Sequence, residues 1–163
     1  VREAVKEYTQ SSVSPGNCWQ TAVACILEID PAELPDQVAI ETTTPGLFMN
    51  AINAYLEQHH GLMYSEVYDY QFGALLVRDP GWHLLDGPTV RTPTNGSEHV
   101  IVGRNGEPVW DPHPSRAGLT TVKRWGILAP LLDRLREERE KLRTGENAAR
   151  WQSLFCACPR CRP

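Results

Sequence analysis

The stretch that most constrains the fold is Ser14-Pro15-Gly16-Asn17-Cys18-Trp19-Gln20, where a Pro-Gly turn runs directly into the unbroken apolar segment Ala22 to Leu27. A helix that is apolar on every side has to lie inside a domain rather than on its surface. Asn17 suits the N-cap of that helix, and Gln20 three residues later suits the returning hydrogen bond of a capping box. Cys18 then becomes the first helical residue. At that position the unpaired N–H groups and the positive end of the helix dipole favour a thiolate, which makes a nucleophile. The competing reading is a cysteine that only packs, since cysteine is among the most commonly buried residues. Cys25, two turns further on, reads as packing.

With 163 residues, 41% hydrophobic and 22% charged, the chain is long enough for one domain with a sizeable core and short for two. The expectation is one domain over residues 1–155 and a cysteine-containing tail over 156–163. A net charge of -4 without a dense Lys/Arg cluster argues against nucleic acid as a partner. No charged-then-apolar segment opens the sequence, and no apolar run approaches the roughly 18 residues of a membrane span. The expected location is therefore the cytoplasm, without a membrane partner.

The five cysteines form two distant groups, Cys18 and Cys25 against Cys156, Cys158 and Cys161. An odd count in that arrangement is unlike a disulfide framework, so reduced thiols are expected. The terminal three could hold zinc with a fourth ligand from elsewhere, or form a tail of free thiols. Only one C-x-x-C spacing is present, so no metal site and no cofactor are assigned.

Residues 1–13 show no periodicity and read as an arm. Asp30-Pro31-Ala32-Glu33-Leu34-Pro35 describes a single helical turn between prolines. A polar loop is expected up to Pro45. Leu47, Phe48, Ala51, Ile52, Tyr55 and Leu56 then recur at helical spacing, predicting an amphipathic helix that ends at His59-His60-Gly61. Short strand-like runs follow at 62–68, 74–77, 83–85, 100–102 and 108–110, with a further one at 119–125. Leu128, Leu131, Leu132, Leu135 and Leu142 mark one face of a charged helix, and 147–155 a last short one. Helices, then antiparallel strands, then helices predict an α+β domain in which the Cys18 helix packs on the sheet.

A thiol nucleophile needs a base. Ser97-Glu98-His99 leads into the apolar strand Val100-Ile101-Val102, and the next strand ends in Val109-Trp110-Asp111-Pro112. Reading Arg104-Asn105-Gly106 as a three-residue hairpin loop pairs Val102 with Pro108, Val100 with Trp110 and His99 with Asp111, on one face of the sheet. A two-residue Asn105-Gly106 turn would shift the pairing by one and separate them. Cys18, His99 and Asp111 together supply nucleophile, general base and orienter.

Asn17-Cys18-Trp19 opening an apolar helix, His99 heading a strand and Asp111-Pro112 ending the next resemble the papain-like cysteine peptidase fold in its Cys, His, Asp chain order. The sequence is similar in particular to bacteriocin-leader-processing peptidases and to short papain-like proteins of bacteria and bacteriophages, which share a Gly-Asn-Cys start and an Asp-Pro-His-Pro-Ser segment, here Asp111 to Ser115. The resemblance covers roughly residues 8–120. It implies a glutamine upstream of the nucleophile that donates to the oxyanion, for which Gln10 is the candidate, two residues further away than the usual spacing. It also implies a Trp after the nucleophile, matched by Trp19, and Asn17 and Trp19 are taken as substrate contacts.

The expected activity is a thiol hydrolase acting on an amide, peptide or thioester through an acyl-enzyme. The same triad would serve an acyltransferase, and the same fold a non-catalytic binding or inhibitory protein. A third possibility is an interaction module joined by a metal on the terminal cysteines.

Overall fold

The computed structural model describes residues 4–68, 81–91 and 98–131. The chain divides into two compact units, Val1–Ala129 and Pro130–Pro163. The elements below belong to the first, apart from the last residue of the final strand. The expected strand at 74–77, the helices expected beyond residue 131 and the three terminal cysteines lie outside the described residues.

Among the described residues the fold is α+β, with three α-helices and a five-stranded antiparallel sheet. Helix α1 spans Cys18–Leu27, α2 Gln37–Thr43 and α3 Phe48–His60. Strands β1 Leu62–Val67, β2 Trp82–Gly87, β3 His99–Arg104, β4 Glu107–Trp110 and β5 Arg124–Pro130 follow, in the spatial order β1-β5-β2-β3-β4.

The apolar run after Cys18 makes α1 the buried helix: every residue from Trp19 to Ile26 is buried, and the helix packs chiefly on β3. On α3 the buried residues are Phe48, Ile52 and Leu56, one per turn. The helix stops at Gly61, whose left-handed φ of 61° lets its N–H return to the Glu57 carbonyl. Between helices and sheet, Val23, Ile26, Ile52 and Leu56 meet Leu84, Val100 and Val102, each such side chain contributing about 1.5–3 kcal/mol by leaving water. The ring of Trp19 meets Phe48 and Tyr64 edge-on, at 5.4 and 4.6 Å between centroids. Alternation along the strands sends Leu85 and Ile101 to the other face, where they pack with Trp125. Both central strands are therefore covered on two sides, which is why they read as continuous apolar runs rather than alternating ones.

The structure corrects the reading in four places. The stretch expected to be a polar loop contains α2, started by Asp36, whose carboxylate accepts the Ala39 N–H at 3.0 Å. The strand expected at 119–125 lies at Arg124–Pro130 instead, pairing Leu85 with Trp125 and Leu84 with Gly126, and Leu128 is in it rather than in a helix.

The other two corrections concern the hairpin. Arg104 pairs with Glu107 across a two-residue turn, with Asn105 and Gly106 both left-handed at φ 54° and 88°, the type I′ geometry. One extra residue then enters β4, so that Gly103 faces Pro108 while Val102 faces Trp110. Continuing from Val102 and Trp110 places Asp111 beside Ile101, two residues along from His99 rather than directly opposite. The turn and the bulge each shift the register by one, so the total shift is even. His99 and Asp111 stay on the same face.

Candidate active site

Cys18 is half-buried at the opening of α1, and its backbone N–H is one of the four that a helix leaves without an internal partner. Asn17 precedes it as the helix boundary, but its side chain makes no cap. Its Oδ1 accepts the Ser12 N–H at 3.1 Å, its Nδ2 donates to Ser11 Oγ at 3.0 Å, and its own N–H donates to the Ser12 carbonyl at 3.2 Å. Asn17 thus folds the arm back against the nucleophile. The capping box with Gln20 is not formed either. Gln20 Oε1 accepts the Gln37 N–H at 3.2 Å, Gln37 Oε1 accepts the Gln20 N–H at 3.1 Å, and Gln20 Nε2 donates to the Pro31 carbonyl at 2.8 Å. Buried Gln20 has more to satisfy in α2 and the Pro31–Glu33 turn than at its own cap.

His99 is the first residue of β3, 7% exposed, and Asp111 follows β4, 8% exposed. His99 Nε2 donates to Asp111 Oδ1 at 2.6 Å. The Cys18 side chain lies close enough to the same imidazole to favour its charged form. Burial alone would lower the His99 pKa, but the hydrogen bond to Asp111 and then the nearby Cys18 outweigh it and raise it from 6.5 to about 9. Burial alone would raise the Asp111 pKa. The bond from His99 and the N–H groups of His113 and Gly118, each at 2.8 Å from a carboxylate oxygen, pull it down from 3.8 to about 2. The structure therefore brings the three sequence-predicted triad residues together.

The remaining predicted residues have different surroundings. Gln10 is 6% exposed; its N–H donates to the Pro112 carbonyl at 2.9 Å and its Nε2 to the Ser12 carbonyl at 2.6 Å. Trp19, taken as a substrate contact, is 5% exposed and turned into the core against Phe48 and Tyr64. Asn17, likewise 5% exposed, is occupied by Ser11 and Ser12. A cavity of about 590 Å³ lies beside α1, lined by Thr9, Ser12, Asn17, Gln20, Thr21 and Asp30 among others, though by neither Cys18 nor His99.

A polar girdle around Asp111 was not anticipated. His113 stands edge-on to His99, 5.9 Å between centroids, and its Nδ1 accepts the Ser115 N–H at 3.0 Å. Burial and then the nearby Arg91 charge hold its pKa below the ordinary value. Arg91 Nη1 donates to Ser115 Oγ at 2.6 Å, and Arg116 donates to the Asp111 carbonyl. Arg116 is marked in the sequence by its place directly after the Asp-Pro-His-Pro-Ser segment, and no sequence signal marks Arg91. Among the described residues no three His, Cys, Asp or Glu side chains converge as metal ligands. No helix there is long and apolar enough to cross a membrane.

Comparison of the chain with models of protein families, with curated proteins and with solved structures gives no match.

Proposed function

We propose that the protein is a papain-like thiol hydrolase acting on an amide, peptide or thioester bond. The observation that carries this reading is the His99 imidazole bonded to the Asp111 carboxylate at 2.6 Å, with Cys18 close by at a helix opening. Such an arrangement suits a thiolate–imidazolium pair. The Cys18 sulfur attacks the carbonyl carbon, and the charge that develops on oxygen meets the Cys18 N–H at the open end of α1. Gln10 is the proposed second donor, through the amide hydrogen not given to Ser12. The carbon–nitrogen bond breaks as His99 passes its proton to the leaving amine, which leaves a thioester on Cys18. Water then attacks the thioester, His99 takes the water's proton, and the thiolate departs with release of a carboxylic acid. Asp111 keeps Nε2 occupied and the ring oriented throughout. A cytoplasmic setting suits the reading because a reducing compartment keeps Cys18 as a thiol.

Acyl-enzyme trapping tests it. The protein is mixed at mildly acidic pH with a pool of peptide amides and thioesters and analysed by intact mass and peptide mapping. The expected result is an acyl adduct on Cys18 that is absent from Cys18→Ala and accumulates more slowly in His99→Ala. Turnover that persists in Cys18→Ala would contradict the proposal.

A further inference from the structure

We infer that Arg116 is a positioning residue that locks the arm leading to Cys18 against the Asp111 end of the triad, an inference that rests on the thiol-hydrolase reading above. Its guanidinium bridges segments 107 residues apart in sequence. Nη1 donates to the carbonyls of Asp111 and His113, the latter at 2.9 Å, and Nη2 donates to Thr9 Oγ1 at 2.6 Å. Its Cζ stands 3.9 Å from the centroid of the Trp110 ring. Two further bonds close the same seam: Trp110 Nε1 to the Tyr8 carbonyl at 2.8 Å, and the Gln10 N–H to the Pro112 carbonyl at 2.9 Å. Tyr8, Thr9 and Gln10 are thus each tied to the segment 110–116.

From this seam two routes lead to the reacting atoms. One passes through Gln10, Ser12 and Asn17 to Cys18; the other through Asp111 to His99. The separation of sulfur and imidazole is set where the routes meet, and Arg116 holds both there. Its backbone adds an independent observation. Arg116 has φ 52°, a left-handed conformation that glycine or asparagine adopts at lower cost. An arginine at such a position is explained by what its side chain does. Lysine is no substitute, since a single ammonium lacks the planar fork that spans carbonyls and hydroxyl while lying on an indole.

The test compares wild type, Arg116→Lys and Arg116→Gln, each with Cys156, Cys158 and Cys161 changed to serine. The His99 titration is followed by NMR of ring-labelled histidine, alongside iodoacetamide alkylation of Cys18 and thermal melting. Among the described residues, the charged or titratable groups facing His99 are Asp111, Cys18 and His113. Positioning predicts a fall of about one pH unit in the His99 midpoint in both variants, with alkylation at pH 7 about tenfold slower. A role through charge alone predicts the opposite sign, a raised midpoint in Arg116→Gln and none in Arg116→Lys. A merely structural role lowers the melting temperature and leaves the midpoint in place; either outcome overturns the inference. Should the Arg116 variants fail to fold, Thr9→Val removes only the arm anchor. Alkylation about threefold slower in Thr9→Val and restored in Thr9→Ser is then expected, and unchanged rates overturn the inference. An ordinary histidine midpoint in the wild type overturns the hydrolase reading and this inference with it. That result is distinct from a high wild-type midpoint that the Arg116 variants leave unmoved.

Discussion

Replacing Asp111 with asparagine removes the charge that His99 faces while nearly preserving shape. The rise of the His99 pKa from 6.5 to about 9 amounts to about 3 kcal/mol in favour of its charged form, at roughly 1.4 kcal/mol per pH unit, shared between Asp111 and Cys18. Because the folded pKa lies above the unfolded one, this stabilisation is fully present below pH 6.5 and is lost as pH rises through 9. The Asp111 carboxylate, pulled down from 3.8 to about 2, contributes above pH 3.8 and loses its contribution as pH falls through 2. The pair is therefore worth most between about pH 4 and 6.5. In Asp111→Asn the Gly118 N–H, which donates to Oδ2, faces an amide or loses its partner, an additional cost of about 1–3 kcal/mol that does not vary with pH.

Denaturant unfolding of both proteins at pH 5 and pH 10, with NMR titration of His99, measures each part. The stability gap is expected to be widest at pH 5 and to shrink toward the Gly118 contribution at pH 10. The His99 midpoint is expected to drop to 6.5 or below, leaving the imidazole about one quarter protonated at pH 7 rather than nearly fully so. A midpoint that stays near 9, or a gap that widens with pH, would refute the reasoning.

Three further changes probe the scaffold. Gly106→Ala places a methyl at φ 88° and 3.0 Å from the Trp125 ring, and should cost about 1–2 kcal/mol by chemical denaturation. Gln20→Ala strands the Gln37 N–H and the Pro31 carbonyl and should destabilise by about 1–3 kcal/mol, with loss of α2 protection in hydrogen exchange before that of α1. Leu84→Ala, in the fully buried layer under α1, should cost about 2–5 kcal/mol in the same assay while leaving the Cys18 alkylation profile unchanged in shape.

The parts of the fold that were legible in the sequence are those set by local pattern. The apolar run after Cys18 specifies a buried helix by itself, and α3 is announced by its one-per-turn apolar residues and by Gly61. α2 was not legible. Val38, Ile40, Thr42 and Thr43 are β-branched and poor helix formers, and beside the Asp36 cap its start is held by Gln20, 17 residues away. Leu128 fits a helix face as well as a strand, and β5 is set by the pairing of its residues 124–126 with distant β2. The His99–Asp111 pair was legible by parity, although the route assumed was different. A turn one residue shorter and a bulge of one residue together shift the register by two, which keeps the facing of the side chains. Pro108, in an edge strand beside that bulge, was the signal that the ladder is irregular there. Local spacing points Asn17 and Gln20 to a helix cap, whereas the preceding turn at Ser11 and Ser12 claims Asn17 and the more distant Pro31 and Gln37 claim Gln20. The girdle of Arg91, His113 and Arg116 depends on tertiary contacts that no spacing encodes.

The central claim is that Cys18 is activated by His99. Its most direct test is the rate of iodoacetamide alkylation of Cys18 between pH 5 and 9, by intact mass, in wild type and His99→Ala with the three terminal cysteines changed to serine. Fast labelling already near pH 6 that collapses in His99→Ala is the predicted result. Labelling that rises in both proteins as for an ordinary thiol, with a midpoint of about 8.5, would contradict it.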